Sequence, residues 1–165
     1  MKPLLLYTLM LLFFGCQLPP TNKHLQALTP LPSFTLLSLD SSTLTNSTHL
    51  GRGGPIIFMY FSPDCEHCQR MTSLILHQLN NFCNSKIYMV TSEPTDETKK
   101  FVLAFHLNGL SNVLVMKDYH YSFFDAFLPH EIPFFAIYDS QQKLRRIYEG
   151  EVEMSALLRF CNKSS

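Results

Sequence analysis

The stretch of sequence that decides the fold is residues 56–68, Ile-Ile-Phe-Met-Tyr-Phe-Ser-Pro-Asp-Cys-Glu-His-Cys. Its first six residues are apolar on both faces of an extended chain, which predicts a strand buried in the middle of a covered sheet. The stretch ends in Cys65 and Cys68, two cysteines separated by two residues. From Cys65 onward, apolar residues recur with a helical period for about five turns, as far as Cys83. The sequence therefore predicts a strand that leads directly into a helix headed by a cysteine pair.

Length and composition indicate one domain with a core of its own. The chain has 165 residues, of which 46% are hydrophobic, and its 14 Phe and 7 Tyr are spread along it, as expected for residues that fill a core. The 13 Lys and Arg balance the 13 Asp and Glu, and basic patches with interleaved aromatic residues are absent, so no nucleic-acid partner is predicted. Five cysteines, only two of them closely spaced, are too few for a disulfide scaffold.

Residues 1–16 have the pattern of a signal peptide. Lys2 precedes an apolar run, residues 4–14, that is shorter than the roughly 20 residues of a membrane-spanning helix. The run ends at Gly15-Cys16, which resembles a bacterial lipoprotein cleavage site and predicts lipidation of Cys16. A plain secretory signal and an uncleaved anchor are the alternatives. All three place the domain outside the cytoplasm, on the periplasmic side of the cell envelope or secreted, where disulfides persist.

Residues 17–30 are rich in Pro, Thr, Asn and Gln without an apolar period, which predicts a flexible tether between membrane and domain. The predicted domain, residues 31–162, alternates strands and helices. After an opening hairpin, the β-α-β-α order is typical of parallel strand pairing, and a second hairpin and a last helix follow. The predicted elements are strands at 34–39, 43–45, 56–61, 87–91, 113–115, 134–138 and 144–148, and helices from 65, at 95–106, at 122–128 and at 154–160.

Residues 31–160 resemble the thioredoxin-like redoxin family, which contains membrane-tethered extracytoplasmic thiol-disulfide oxidoreductases. The resemblance rests on Pro-Ser-Phe-Thr-Leu at residues 32–36, on the strand that runs straight into Cys-x-x-Cys, and on Ile132-Pro133 before a strand. It implies an α/β, thioredoxin-like fold: a central mixed β-sheet flanked by helices, with an N-terminal β-hairpin extension. It also implies that Pro133 is a cis-proline beside the dithiol and that Ile132 and Pro133 bind substrate.

The same resemblance implies the partners. These are protein thiols and disulfides, an upstream electron donor in the membrane, and the membrane itself through the N-terminal lipid or anchor. It implies no cofactor other than the redox-active Cys65–Cys68 disulfide.

Thiol-disulfide exchange needs an accessible thiolate and a second thiol close enough to resolve the mixed disulfide. A helix N-terminus favours a thiolate at Cys65, so Cys65 is the predicted nucleophile and the more buried Cys68 the resolving thiol. A protonated His67 would stabilise the thiolate and make the couple more oxidising, whereas Glu66 would oppose this by like-charge repulsion. These two tuning residues leave the direction open, and the redoxin-like domain and the tether favour a reductase.

The sequence also departs from the family pattern. Met59 and Met71 stand where thioredoxins and some reductases carry acids, so the proton acceptor for Cys68 is open among Glu66, Glu131 and water. A thiol peroxidase is one alternative function, although its Pro-x-x-x-Thr-x-x-Cys signature fails because Phe occupies position 58. A copper-carrying protein is another, although such proteins usually space the cysteines by three residues. No metal site is predicted, because zinc would need two further ligands.

Cys83 and Cys161 form a second pair of interest. In the fold that the resemblance implies, the helix after the Cys-x-x-Cys and the last helix cover the same face and run the same way. Both cysteines would then lie at the pole opposite the active site. This placement allows a structural disulfide between them, and two buried free thiols are the favoured alternative.

Overall fold

The protein is represented by a computed structural model, which describes residues 28–50 and 53–161. Short 3₁₀ helices occur at Ser47–His49 and Leu79–Phe82. The strands and α-helices are, in chain order, β1 (Thr35–Ser38), β2 (Leu44–Asn46), β3 (Ile56–Tyr60), α1 (Glu66–His77), β4 (Lys86–Thr91), α2 (Thr95–Ala104), β5 (Val113–Lys117), α3 (Ser122–Phe127), β6 (Phe134–Tyr138), β7 (Leu144–Glu149) and α4 (Met154–Leu158).

The strands of the described residues form one seven-stranded sheet in the order β2-β1-β5-β4-β3-β6-β7. Strands β3, β4 and β5 pair in parallel, as the β-α-β-α order predicts, while β6 and β7 are antiparallel to their neighbours. The β1–β2 hairpin joins the sheet through β5. The predicted mixed sheet with an N-terminal hairpin extension is therefore confirmed.

The alternation of side chains along β3 divides the core into two layers. Ile57 and Met59 face a layer that also contains residues of α1, α2 and α4. Ile56, Phe58 and Tyr60 face the opposite layer, which contains residues of α3 and of the N-terminal segment. Because successive strand residues point to opposite faces, a strand covered on both sides must be apolar throughout. All five positions of β3 are buried.

Aromatic rings dominate the layer that contains α3. Phe123 is fully buried and stacks on Tyr60 with ring centroids 5.4 Å apart. The centroid of its ring also lies 5.1 Å from that of Phe34 and 4.4 Å from that of Phe127. Such edge-on and offset contacts add to the free energy gained by burying the rings. The abundance of Phe and Tyr is thus used in the core, as the composition predicts.

Two predicted boundaries were wrong. Helix α1 ends at His77, and a 3₁₀ turn rather than further α-helix carries the apolar period on to Phe82. Asn80 and Asn81 occupy this turn, and asparagine favours turns over helix interiors. The polar, proline-rich surroundings of Leu28 placed it in the predicted tether. In the structure Leu28 is buried in the core, and its carbonyl accepts a hydrogen bond of 2.9 Å from the Tyr138 hydroxyl.

The predicted signal peptide, Cys16 and most of the predicted tether lie outside the described residues. Within residues 28–50 and 53–161, the structure contains no helix long and apolar enough to cross a membrane.

The aromatic layer generates a prediction about stability. Replacing Phe123 by Ala should lower the free energy of unfolding by about 3 to 5 kcal/mol, because it leaves a cavity among rings that cannot fully close around it. Phe124, the next residue of the same helix, is 38% exposed, so Phe124→Ala should cost about 1 kcal/mol or less. Urea denaturation of the two variants measures the difference. Equal losses would show that α3 does not anchor this layer.

Candidate active site

Strand β3 and helix α1 together position the cysteine pair. The chain leaves β3 at Tyr60 and turns through Ser62, whose carbonyl accepts the backbone N–H of Cys65 at 3.2 Å. Cys65 is the N-cap of α1, with φ −77° and ψ 112°, and its Sγ accepts the backbone N–H of Cys68 at 3.2 Å. The sulfur thus takes the place that a Ser or Asp oxygen usually occupies at a helix start. Backbone N–H groups and the positive end of a helix dipole attract negatively charged atoms in this position.

The Ile132-Pro133 segment lies directly against Cys65. The peptide bond between Ile132 and Pro133 is cis, as the resemblance implies. The Cys65 thiol faces the carbonyl oxygen of Ile132 at 3.9 Å. Strand β6 begins at Phe134, directly after Pro133, and its pairing with β3 puts Phe134 opposite Tyr60. The structure therefore brings these predicted site residues together at one edge of the sheet.

The two cysteines have different surroundings. Cys65 is partly exposed, whereas Cys68 is fully buried and packs in the same layer as Met59 and Met71. Burial, together with a hydrogen bond to the Cys65 side chain, raises the pKa of the Cys68 thiol well above its usual range. An apolar environment disfavours a thiolate. At neutral pH, Cys68 is therefore protonated and must lose its proton before it can attack.

Glu66 and His67, the residues between the cysteines, join a surface network with Arg70 and Glu151, here called the Glu151 cluster. Glu151 Oε1 lies 2.6 Å from His67 Nδ1, 2.7 Å from Arg70 Nε and 2.6 Å from Arg70 Nη2. Glu66 lies 3.7 Å from Arg70, on the next turn of α1. Hydrogen bonds from Arg70 and His67 hold the pKa of the Glu151 carboxyl below its ordinary value.

Sequence reasoning missed Arg70 and Glu151. Arg70 could have been found, because it follows Glu66 by four residues and His67 by three, which places its side chain beside each of theirs on the helix surface. Glu151 carried no such signal, because it is 84 residues from His67 in sequence. Its position depends on Gly150, which has φ +74° and whose added Cβ would lie 3.1 Å from Glu131 Oε1.

The second cysteine pair differs from the prediction. Cys161 is a buried free thiol whose Sγ lies 3.7 Å from the Leu157 carbonyl, and burial raises its pKa. The allowed disulfide with Cys83 is therefore not formed in this structure. Cys83 is exposed and was wrongly expected to be buried. It follows the 3₁₀ turn with φ +49°, and this change of chain direction carries it off the buried face that ends at Phe82.

In the part of the chain that the structure describes, no group of three or more His, Cys, Asp or Glu side chains is arranged to hold a metal ion.

The sequence matches no family model and no curated protein, so comparison rests on solved structures. A secreted Mycobacterium tuberculosis disulfide oxidoreductase homologous to E. coli DsbE superposes with a TM-score of 0.63 and 16% identity, over 86% of this chain and 98% of that one. The chain has a thioredoxin-like fold. A thioredoxin-like protein from Aeropyrum pernix superposes with a TM-score of 0.63 and 15% sequence identity, over 81% of this chain and 89% of that one. A peroxiredoxin-like protein from Aquifex aeolicus superposes with a TM-score of 0.62 and 13% sequence identity, over 79% of this chain and 82% of that one. The predicted fold class is confirmed.

The raised pKa of Cys68 predicts how stability depends on pH. A thiol whose pKa is higher in the folded than in the unfolded protein contributes stability that is complete below the unfolded value, near pH 9, and is lost as pH rises above it. Between about pH 9 and 10.5, Cys68→Ala should therefore flatten the decline in unfolding free energy of the reduced protein by up to about 1.4 kcal/mol per pH unit. Urea denaturation in the presence of a phosphine reductant measures the two slopes. Identical slopes for wild type and variant would contradict the raised pKa.

Proposed function

We propose that this protein is an extracytoplasmic thiol-disulfide oxidoreductase that works through Cys65 and Cys68, with the reductase direction favoured. The observation that carries the proposal is the placement of the Cys65 sulfur at the N-terminus of α1. There it accepts the Cys68 N–H at 3.2 Å and lies 3.9 Å from the Ile132 carbonyl. An accessible, stabilised sulfur with a second thiol one turn away meets both requirements of exchange.

The reaction proceeds in two exchange steps. In the first, the Cys65 thiolate attacks one sulfur of a protein disulfide, forming a mixed disulfide while the other substrate sulfur leaves as a thiolate and takes up a proton. In the second, Cys68 gives up its proton and attacks Cys65 Sγ, which releases the second substrate thiol. The substrate gains two electrons and two protons, and the protein becomes the Cys65–Cys68 disulfide. An upstream dithiol must return two electrons before the next cycle.

The surroundings of the pair suggest how substrate and proton are handled. Ile132 lies against Cys65 and is followed by the cis-proline Pro133, so this segment would contact the substrate chain near its disulfide. Glu66 is 84% exposed at its side chain and is drawn toward Arg70, while Glu131 lies against Gly150. These positions favour water as the acceptor of the Cys68 proton.

The N-terminal sequence supports a membrane-tethered lipoprotein that receives its electrons from a membrane donor. The M. tuberculosis protein of similar fold is described as secreted, which is compatible with work outside the cytoplasm. In a bacterial host the wild-type protein should incorporate a radioactive fatty acid, and Cys16→Ser should abolish this labelling because the acylated thiol is lost, as autoradiography of the immunoprecipitated protein would show. A wild-type protein that stays in the membrane fraction without being labelled would instead support an uncleaved anchor.

Variants of the cysteine pair test the exchange reaction. The reduced wild-type protein should reduce the disulfides of insulin stoichiometrically, and Cys65→Ser should lower this to the uncatalysed background because the attacking thiolate is lost. Cys68→Ser should accumulate a mixed disulfide through Cys65 that dithiothreitol releases, detectable as an added mass. Cys83→Ser, a change at an exposed cysteine outside the site, serves as the control and should react like wild type.

Other outcomes would identify the alternative functions. Rapid turnover of hydroperoxide by Cys68→Ser would support a thiol peroxidase. Stoichiometric retention of Cu(I) without any disulfide exchange would support a copper carrier. Either result would overturn the proposed function.

A further inference from the structure

We propose that Glu151 is a positioning residue that keeps the Cys65–Cys68 couple reducing by holding His67. The inference rests on the proposed function and extends it to a residue 84 positions away from His67 in the sequence. The proposed role requires no contact between Glu151 and the dithiol. Glu151 acts through the imidazole that lies between the two cysteines in sequence.

The hydrogen-bond geometry holds the imidazole in either protonation state. His67 Nδ1 lies 2.6 Å from Glu151 Oε1 and 2.7 Å from Arg70 Nη2. A carboxylate can only accept and a guanidinium can only donate. When Nδ1 carries a proton it donates to Glu151, and when it does not it accepts from Arg70. Loss of the Nε2 proton therefore leaves the bond to Glu151 in place, whereas loss of the Nδ1 proton exchanges it for a bond from Arg70, which itself donates to Glu151.

The backbone before Glu151 and a hydrogen bond from Arg70 hold the Glu151 carboxylate in position. Gly150 adopts φ +74°, a conformation that L side chains rarely adopt, and Glu131 Oε1 lies 3.1 Å from the position of an added Cβ. The chain thus turns sharply just before Glu151 and is packed there against the residue that precedes Ile132. Arg70 Nε donates to the same Glu151 oxygen at 2.7 Å, so the carboxylate keeps its orientation even without His67.

The charges of the cluster explain the direction of the effect. The charged groups in contact with His67 are Arg70 from its own helix and Glu151 from the β7–α4 segment. Glu66 pairs with Arg70, and Cys65 precedes His67 by two residues at the helix start. With His67 protonated, two cations balance two carboxylates. For the same protonation state of His67, removal of the Glu151 charge leaves the cluster net positive. A positive charge near Cys65 stabilises its thiolate, hence the reduced form, and makes the couple more oxidising.

The test is the equilibrium of the full-length protein with reduced and oxidised glutathione. The fraction of Cys65–Cys68 disulfide is read by mass spectrometry of the alkylated peptide, at low ionic strength where charge effects are least screened. Glu151→Gln should shift the equilibrium constant about three- to tenfold toward the dithiol, which is about 15 to 30 mV for a two-electron couple. Glu153→Gln, which removes the same charge from an exposed residue two positions on, is the matched control and should stay within about 1.5-fold of wild type.

A double variant separates positioning from bare charge. In a His67→Ala background, Glu151→Gln should shift the equilibrium by less than half as much, on a logarithmic scale, as it does in the wild type. A Glu151→Gln shift no larger than that of Glu153→Gln would overturn the proposal, as would an undiminished shift in the His67→Ala background. A wild-type Cys65–Cys68 pair that fails to equilibrate with glutathione at all would instead refute the proposed function, and the inference with it.

Discussion

The antiparallel pairing of β3 with β6 is the constraint on which the rest of the structure depends. Its register sets Tyr60 opposite Phe134, so the segment after β3 and the segment before β6 meet at the same edge of the sheet. This brings the Cys65 sulfur within 3.9 Å of the Ile132 carbonyl, although 67 residues separate them in sequence. The sheet is held by apolar residues on both faces of β3. Burial of that strand therefore fixes the geometry of the site as well as the stability of the domain.

Features encoded within a few neighbouring residues could be predicted from the sequence. Residues 56–68 predict a buried strand, a helix and a cysteine pair by local periodicity, and Pro133 was placed by a short family motif before a strand. The structure departs from prediction where a residue's environment comes from distant parts of the chain. Leu28 is buried through a contact 110 residues away, and the backbone turn at Cys83 reverses its expected burial. Glu151 meets His67 only because the segment after the last strand lies beside α1, which no local pattern records.

The cysteine pair sits at a boundary between two dielectric environments. Below it, Cys68 packs in one layer with Met59 and Met71, and neither methionine side chain can take up its proton. Above it, the Glu151 cluster is largely exposed to solvent. Each exposed ion pair contributes little to folding stability, typically about 1 kcal/mol or less. The same small energy is significant for a redox couple, because about 1.4 kcal/mol corresponds to a tenfold change in its equilibrium. Surface charges can therefore tune reactivity here without being important for stability.

The burial of Leu28 determines where the N-terminal segment lies relative to the cysteine pair. The Leu28 carbonyl accepts a hydrogen bond from the Tyr138 hydroxyl, and Tyr138 pairs with Ile56 at the start of β3. Cys65 follows the other end of that strand. The N-terminal segment thus enters the domain at the pole opposite the dithiol, one strand length or roughly 17 Å away. If residues before Leu28 connect the domain to a bilayer, the point of attachment and the dithiol lie at opposite poles of the domain. Soluble proteins could then reach it unobstructed, whereas a donor embedded in that bilayer must reach around the domain or wait for it to tumble.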